Sequence, residues 1–132
     1  MNWPKFCKRI LLADGRISET EAHLIRDAID EQGTVTKEEL EFLADLKREA
    51  TTVHHAYDAF FFRVLKHVVL TDGVVSDAEA RWLRRVIFAD SVVTPLEARF
   101  VRELKSAATG YGREFEDLYA ECHHQHPHVF GD

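Results

Sequence analysis

The chain is poor in the features that most directly announce a chemistry. It has two cysteines in 132 residues, Cys7 and Cys122, at opposite ends and outside any C-x-x-C pair. That excludes a disulfide framework and a redox motif and leaves reduced thiols as the expectation. No apolar run approaches the roughly 20 residues needed to cross a bilayer. The opening Met1-Asn2-Trp3-Pro4-Lys5-Phe6 lacks the apolar stretch of a signal peptide, so the expectation is a cytoplasmic protein without membrane insertion. Positive charge is not in excess: a net charge of -6 argues against sequence-independent binding to phosphate backbones, and no nucleic-acid partner is expected. There is no G-x-S-x-G elbow, no phosphate-cradling glycine loop and no cysteine with a motif-placed histidine, so nucleophilic catalysis finds no support and a non-enzymatic protein is expected. Strand signals are also scarce, with Thr34-Val35-Thr36 and Val74-Val75 too short to count.

What is present is a duplication. The segment over residues 5–50 reappears without a gap, 58 residues further on, as 63–108. Lys8, Asp14, Gly15, Ser18, Glu21, Arg26, Thr36, Glu39, Leu46 and Lys47 recur as Lys66, Asp72, Gly73, Ser76, Glu79, Arg84, Thr94, Glu97, Leu104 and Lys105. Most of the recurring residues are turn, cap and core types, so a supersecondary unit has been copied. Hydrophobic residues at 45% and charged residues at 30% suit a globular chain, and the length suits a single domain over 1–132.

Apolar residues recur at three- and four-residue spacing, which predicts an all-α fold of about seven helices in two pseudo-symmetric halves around a long central helix. The first helix is expected from Pro4 to Asp14-Gly15, with Phe6, Cys7, Ile10 and Leu11 as its buried stripe. Four connections then share one pattern, closing at Glu21, Glu39, Glu79 and Glu97. In each, the hydroxyl of Ser18, Thr36, Ser76 or Thr94 can accept from the backbone three residues on while the Glu reaches back, which is a capping box. The apolar residue before each cap makes a staple: Ile17 with Ala22, Val35 with Leu40, Val75 with Ala80, and Val93 with Ala98. The core faces expected of these helices are Leu24, Ile25, Ala28 and Ile29, matching Trp82, Leu83, Val86 and Ile87. The next pair is Leu40, Phe42, Leu43 and Leu46, matching Ala98, Phe100, Val101 and Leu104. Between the repeats, Thr52 to Thr71 reads as the central helix, with Tyr57, Phe60, Phe61, Val64, Leu65 and Val68 on its apolar face and Phe62 as a candidate partner contact. A C-terminal helix and His-rich tail fill 113–132, the helix burying Phe115, Leu118 and Tyr119 until His126-Pro127-His128 breaks it.

The candidate ligands are Asp14, Glu21, Asp72 and Glu79. Asp14 to Glu21 resembles the back half of an EF-hand loop, but Ile10 and Leu12 stand where that loop needs oxygen ligands, and Val68 and Leu70 do so in the second copy. Capping already accounts for Glu21 and Glu79, and an Asp before Gly is common where a helix stops. The alternative is a cation site shared between the copies, which clustered carboxylates would make suitable for calcium or magnesium. The tail Cys122-His123-His124-Gln125-His126-Pro127-His128 holds ligands better suited to zinc, copper or nickel, on what is expected to be a frayed terminus. His54, His55 and His67 on the central helix read as half-exposed side chains rather than a cluster.

The paired Asp-Gly-x-[Ile/Val]-Ser-x-x-Glu segments, Asp14 to Glu21 and Asp72 to Glu79, together with the helix count, resemble the tellurite-resistance TerB-like family. The resemblance implies an all-helical domain of two pseudo-symmetric halves, found in bacterial stress and tellurite-resistance systems and in membrane-tethered J-domain co-chaperones, with metal binding through Asp14, Glu21, Asp72 and Glu79. Gln32-Gly33 and Asp90-Ser91 depart from the Asp-Gly pattern and read only as caps, and neither a J-domain nor a membrane segment is seen here. The expectation is a stress-response module that binds a divalent cation or a protein partner. The alternative is a structural protein-protein interaction domain with no metal site.

Overall fold

A computed structural model of the chain describes residues 15–88 and 92–131. Among these residues the protein is mostly helical, in the order β1 (Arg16–Ile17), α1 (Glu19–Gln32), α2 (Lys37–Glu49), β2 (Thr52–Val53), α3 (His55–Val69), β3 (Val74–Val75), α4 (Asp77–Ile87), α5 (Pro95–Ala107), β4 (Gly110–Tyr111) and α6 (Arg113–Gln125), closed by a 3-10 turn over Pro127–Phe130. The helix expected from Pro4 to Asp14 and the cap expected at Asp90-Ser91 lie outside the described residues. The chain divides into two compact units at Val68 and Val69.

All four expected capping boxes form. Ser18, Thr36, Ser76 and Thr94 each sit in extended conformation and accept from the backbone N–H of Glu21, Glu39, Glu79 and Glu97, whose side chains accept in return from the cap N–H. Each cap satisfies amides that the first helical turn leaves without a partner, a contribution of about 1 kcal/mol.

The sequence reading omitted four short strands. β1 pairs parallel with β2, Arg16 opposite Thr52 and Ile17 opposite Val53. β3 pairs parallel with β4, Val74 opposite Gly110 and Val75 opposite Tyr111. Each strand is two residues long because of what flanks it. Gly15 and Gly73 take positive φ (71° and 81°), and the chain then runs extended until an N-cap turns it into a helix. Two such approaches lying side by side pair their backbones. Each ladder extends at its N-terminal end: Thr51 N–H and Oγ1 donate to the Gly15 carbonyl at 2.8 and 2.9 Å, and Thr109 repeats this on Gly73 at 2.7 and 3.0 Å. The start of the central helix moves accordingly, from the expected Thr52 to His55, because Thr52 and Val53 are committed to the ladder; it ends at Val69 rather than Thr71.

In the first unit the core holds Ile17, Ala22, Ile25, Ile29, Leu40, Leu43, Leu46 and the α3 face of Tyr57, Phe60, Phe61, Val64 and Leu65. Tyr57 is wholly buried, and its hydroxyl donates to the Leu43 carbonyl at 2.6 Å. In the second unit α4 and α5 pack against α6, enclosing Trp82, Leu83, Val86, Phe100, Val101, Leu104, Phe115, Leu118 and Cys122. Several expected core positions differ. Leu24 is 47% exposed although its counterpart Trp82 is buried, and Ala28, Phe42, Val68, Ile87 and Tyr119 are half-buried. Phe62 is also half-buried, edge-on to Phe61 and 4.9 Å from the Lys47 ammonium.

Candidate functional site

Three of the four candidate ligands fall within the described residues, Glu21 and Glu79 in the first turns of α1 and α4 and Asp72 in the turn before β3. Glu21 is half-buried, and its Oε1 accepts from Ser18 N–H at 3.0 Å. Glu79 Oε1 accepts from both the N–H and the hydroxyl of Ser76 at 3.1 Å. Asp72 is exposed, and its Oδ1 accepts from Val74 N–H at 3.0 Å, a closed Asx turn that spans Gly73. Each acid therefore uses one oxygen to hold the backbone of its own turn. The second oxygen of each takes no hydrogen bond from the described residues. Asp14 lies outside the described residues. Among those described, no three His, Cys, Asp or Glu side chains converge to hold an ion.

The His-rich tail is folded rather than frayed. His126 Nε2 donates to the Val93 carbonyl, Val93 N–H donates to Gln125 Oε1 at 3.0 Å, and Arg102 donates to the Val129 carbonyl at 3.2 Å. Phe130 closes on Tyr119 and His123 edge to face. Cys122, grouped with the tail ligands on spacing alone, is a fully buried core residue. Burial, reinforced by Glu121 and Glu97, pushes its thiol from 9.0 up to about 12. It is therefore an uncharged apolar filler rather than a thiolate ligand. The reason is the α6 register, which turns Phe115, Leu118 and Cys122 onto one face.

The residues the sequence reading missed sit where the strand pairs meet the third helix of each unit. In the second unit α6 opens at Gly112, which has no capping side chain of its own. Asp77, the first residue of α4, reaches across, and its Oδ1 accepts from Glu114 N–H at 3.1 Å. A Cβ on Gly112 would lie 2.2 Å from that oxygen, so this glycine is demanded by close approach. In the first unit the equivalent positions hold Glu19 and His54. The His54 ring caps α3 itself, Nδ1 accepting from Ala56 N–H at 3.1 Å. Its Nε2 faces the Glu19 carboxylate at 3.5 Å. An acid directly after each Ser cap, at Glu19 and Asp77, was the signal available in the sequence.

No protein-family model matches the chain, and no curated protein or solved structure matches it either. No described helix is long and apolar enough to cross a membrane.

Proposed function

We propose that the chain is a non-enzymatic, cytoplasmic helical module of the TerB-like kind, serving a bacterial stress response by binding a divalent cation, calcium or magnesium, through Asp14, Glu21, Asp72 and Glu79. In this reading the two units are pseudo-symmetric halves of one seven-helix domain, and a protein partner reads the bound state. One observation supports it above the others: Glu21, Asp72 and Glu79 each fix their turn through one oxygen and keep the second without a hydrogen bond among the described residues. Hard cations favour carboxylate oxygens held in this way by a rigid backbone. Their bonds to their own turns favour a second reading, a structural interaction domain whose acids only cap.

Calorimetric titration of the full chain with calcium, magnesium, manganese and zinc separates the two, repeated on Asp14→Ala/Asp72→Ala. The cation reading expects a saturable heat with calcium or magnesium that the double variant abolishes. Heat with zinc alone that survives in the double variant belongs to the histidine tail and removes the proposal.

A further inference from the structure

The two units solve one problem in two ways. In each, a short parallel strand pair delivers the chain into a third helix whose first amides need an acceptor. The second unit uses a carboxylate, Asp77, directly on Glu114 N–H. The first unit replaces it with a relay. Glu19 is one methylene longer than Asp77 and meets the His54 ring instead of backbone, and the ring carries the acceptor to Ala56 N–H.

These two acceptors respond differently to protons. A carboxylate stays an acceptor throughout the range in which imidazoles titrate. An imidazole accepts at Nδ1 only while that nitrogen lacks a proton; the imidazolium is a donor at both nitrogens. With Nδ1 turned to the Ala56 amide, protonation sets N–H against N–H and abolishes the cap. The incoming charge has a destination, because Nε2 already faces Glu19. Among the described residues, the charged and titratable groups facing His54 are that carboxylate from α1 and the His55 ring, centroid to centroid at 4.1 Å, at the first residue of α3. His54 is accessible to solvent protons, its side chain 28% exposed, and its own N–H donates to the Ile17 carbonyl at 2.8 Å, the last rung of the β1–β2 ladder.

We propose that His54 is a proton-operated latch: neutral, it caps α3 and closes the junction with β1, and protonated, it is held by Glu19 as an ion pair and releases the first turn of α3. The equivalent junction in the second unit, held by Asp77 and Gly112, does not respond. Acidification through the range in which imidazoles titrate therefore loosens the first unit at a defined point and leaves the second closed.

Amide NMR on the full chain tests this, following the Ala56 and Glu114 amides and the His54 ring across that range in the wild type, His54→Asn and His55→Asn. Asn is a good N-cap that carries no titratable proton, so the first variant keeps the helix start. The expected result is an Ala56 amide that shifts with the midpoint of the His54 ring and loses protection about 5-fold when the ring is charged, a cap's usual worth. Glu114 stays constant, His54→Asn abolishes the response, and His55→Asn preserves it. The latch is overturned if Ala56 stays protected while His54 titrates, if the response survives in His54→Asn, or if it disappears in His55→Asn.

Discussion

Replacing Gly112 by alanine should destabilise the second unit, and the cost should depend on a residue 35 positions away. Gly112 has φ of -95°, an ordinary value for any residue, so backbone strain plays no part. The obstacle is steric: the new Cβ would stand 2.2 Å from Asp77 Oδ1 and 2.9 Å from its Cγ. The carboxylate must swing away, and the 3.1 Å bond to Glu114 N–H breaks with it. Losing such a cap costs about 1 kcal/mol, and moving a carboxylate from the positive end of α6 adds about 0.3–1 kcal/mol. Stiffening the unfolded chain returns about 0.4–1 kcal/mol. A net loss of about 1 kcal/mol should appear as a lower urea midpoint followed by tryptophan emission, to which the buried Trp82 of α4 contributes. The decisive measurement is the double-mutant cycle with Asp77→Ala. Once the carboxylate is gone, Gly112→Ala has nothing to displace and should cost about 1.3–2 kcal/mol less than in the wild type. Equal penalties in both backgrounds would refute the reasoning.

Burial and backbone geometry set two further outcomes. The Cys122 thiol keeps its proton in the folded state up to about pH 12, against 9.0 for an unburied thiol; stability is complete below pH 9 and falls by about 1.4 kcal/mol per pH unit above it, because the unfolded state binds fewer protons there. Cys122→Ala should flatten this alkaline limb in urea melts taken from pH 8 to pH 11, and parallel curves for the two proteins would contradict the assignment. Gly73→Ala places a side chain at φ 81° and 3.0 Å from Thr109 Oγ1, whereas Gly15→Ala at φ 71° meets Thr51 at 3.8 Å. Both should cost about 1–2 kcal/mol from left-handed strain, with Gly73→Ala the larger loss by urea titration, and an equal or reversed order would count against it.

How far the sequence alone could be read depended on the separation of the partners. The four capping boxes were legible because Ser18 and Glu21, or Thr94 and Glu97, lie three residues apart and their hydrogen bonds close within one turn. The buried face of α5 was legible for a similar reason, since helical periodicity is local; on α1 Ile25 and Ile29 are buried, but Leu24 and Ala28 escaped because periodicity does not say how wide the covered stripe is. Glu21 and Glu79 were read as capping residues and Asp72 as the acid before a Gly where a helix stops, and the structure finds the first two bonded to their Ser caps and Asp72 to the Val74 N–H.

Other features were decided only in three dimensions. Two-residue strands carry no periodic signal, and β1 meets β2 across 36 residues, so the pairing exists only once α1 and α2 have folded the chain back. Cys122 looked like a ligand beside four histidines and became core because the packing of α4 and α5 on α6 covers its face. The His54–Glu19 pair and the Asp77–Gly112 approach likewise join residues far apart in the chain. Local composition determined where α1, α2, α4 and α5 start, because each of those caps needs partners only within its own turn. The acceptor for the first turn of α6 was settled by tertiary contact, because Asp77 comes from an element that meets α6 only after the chain has folded.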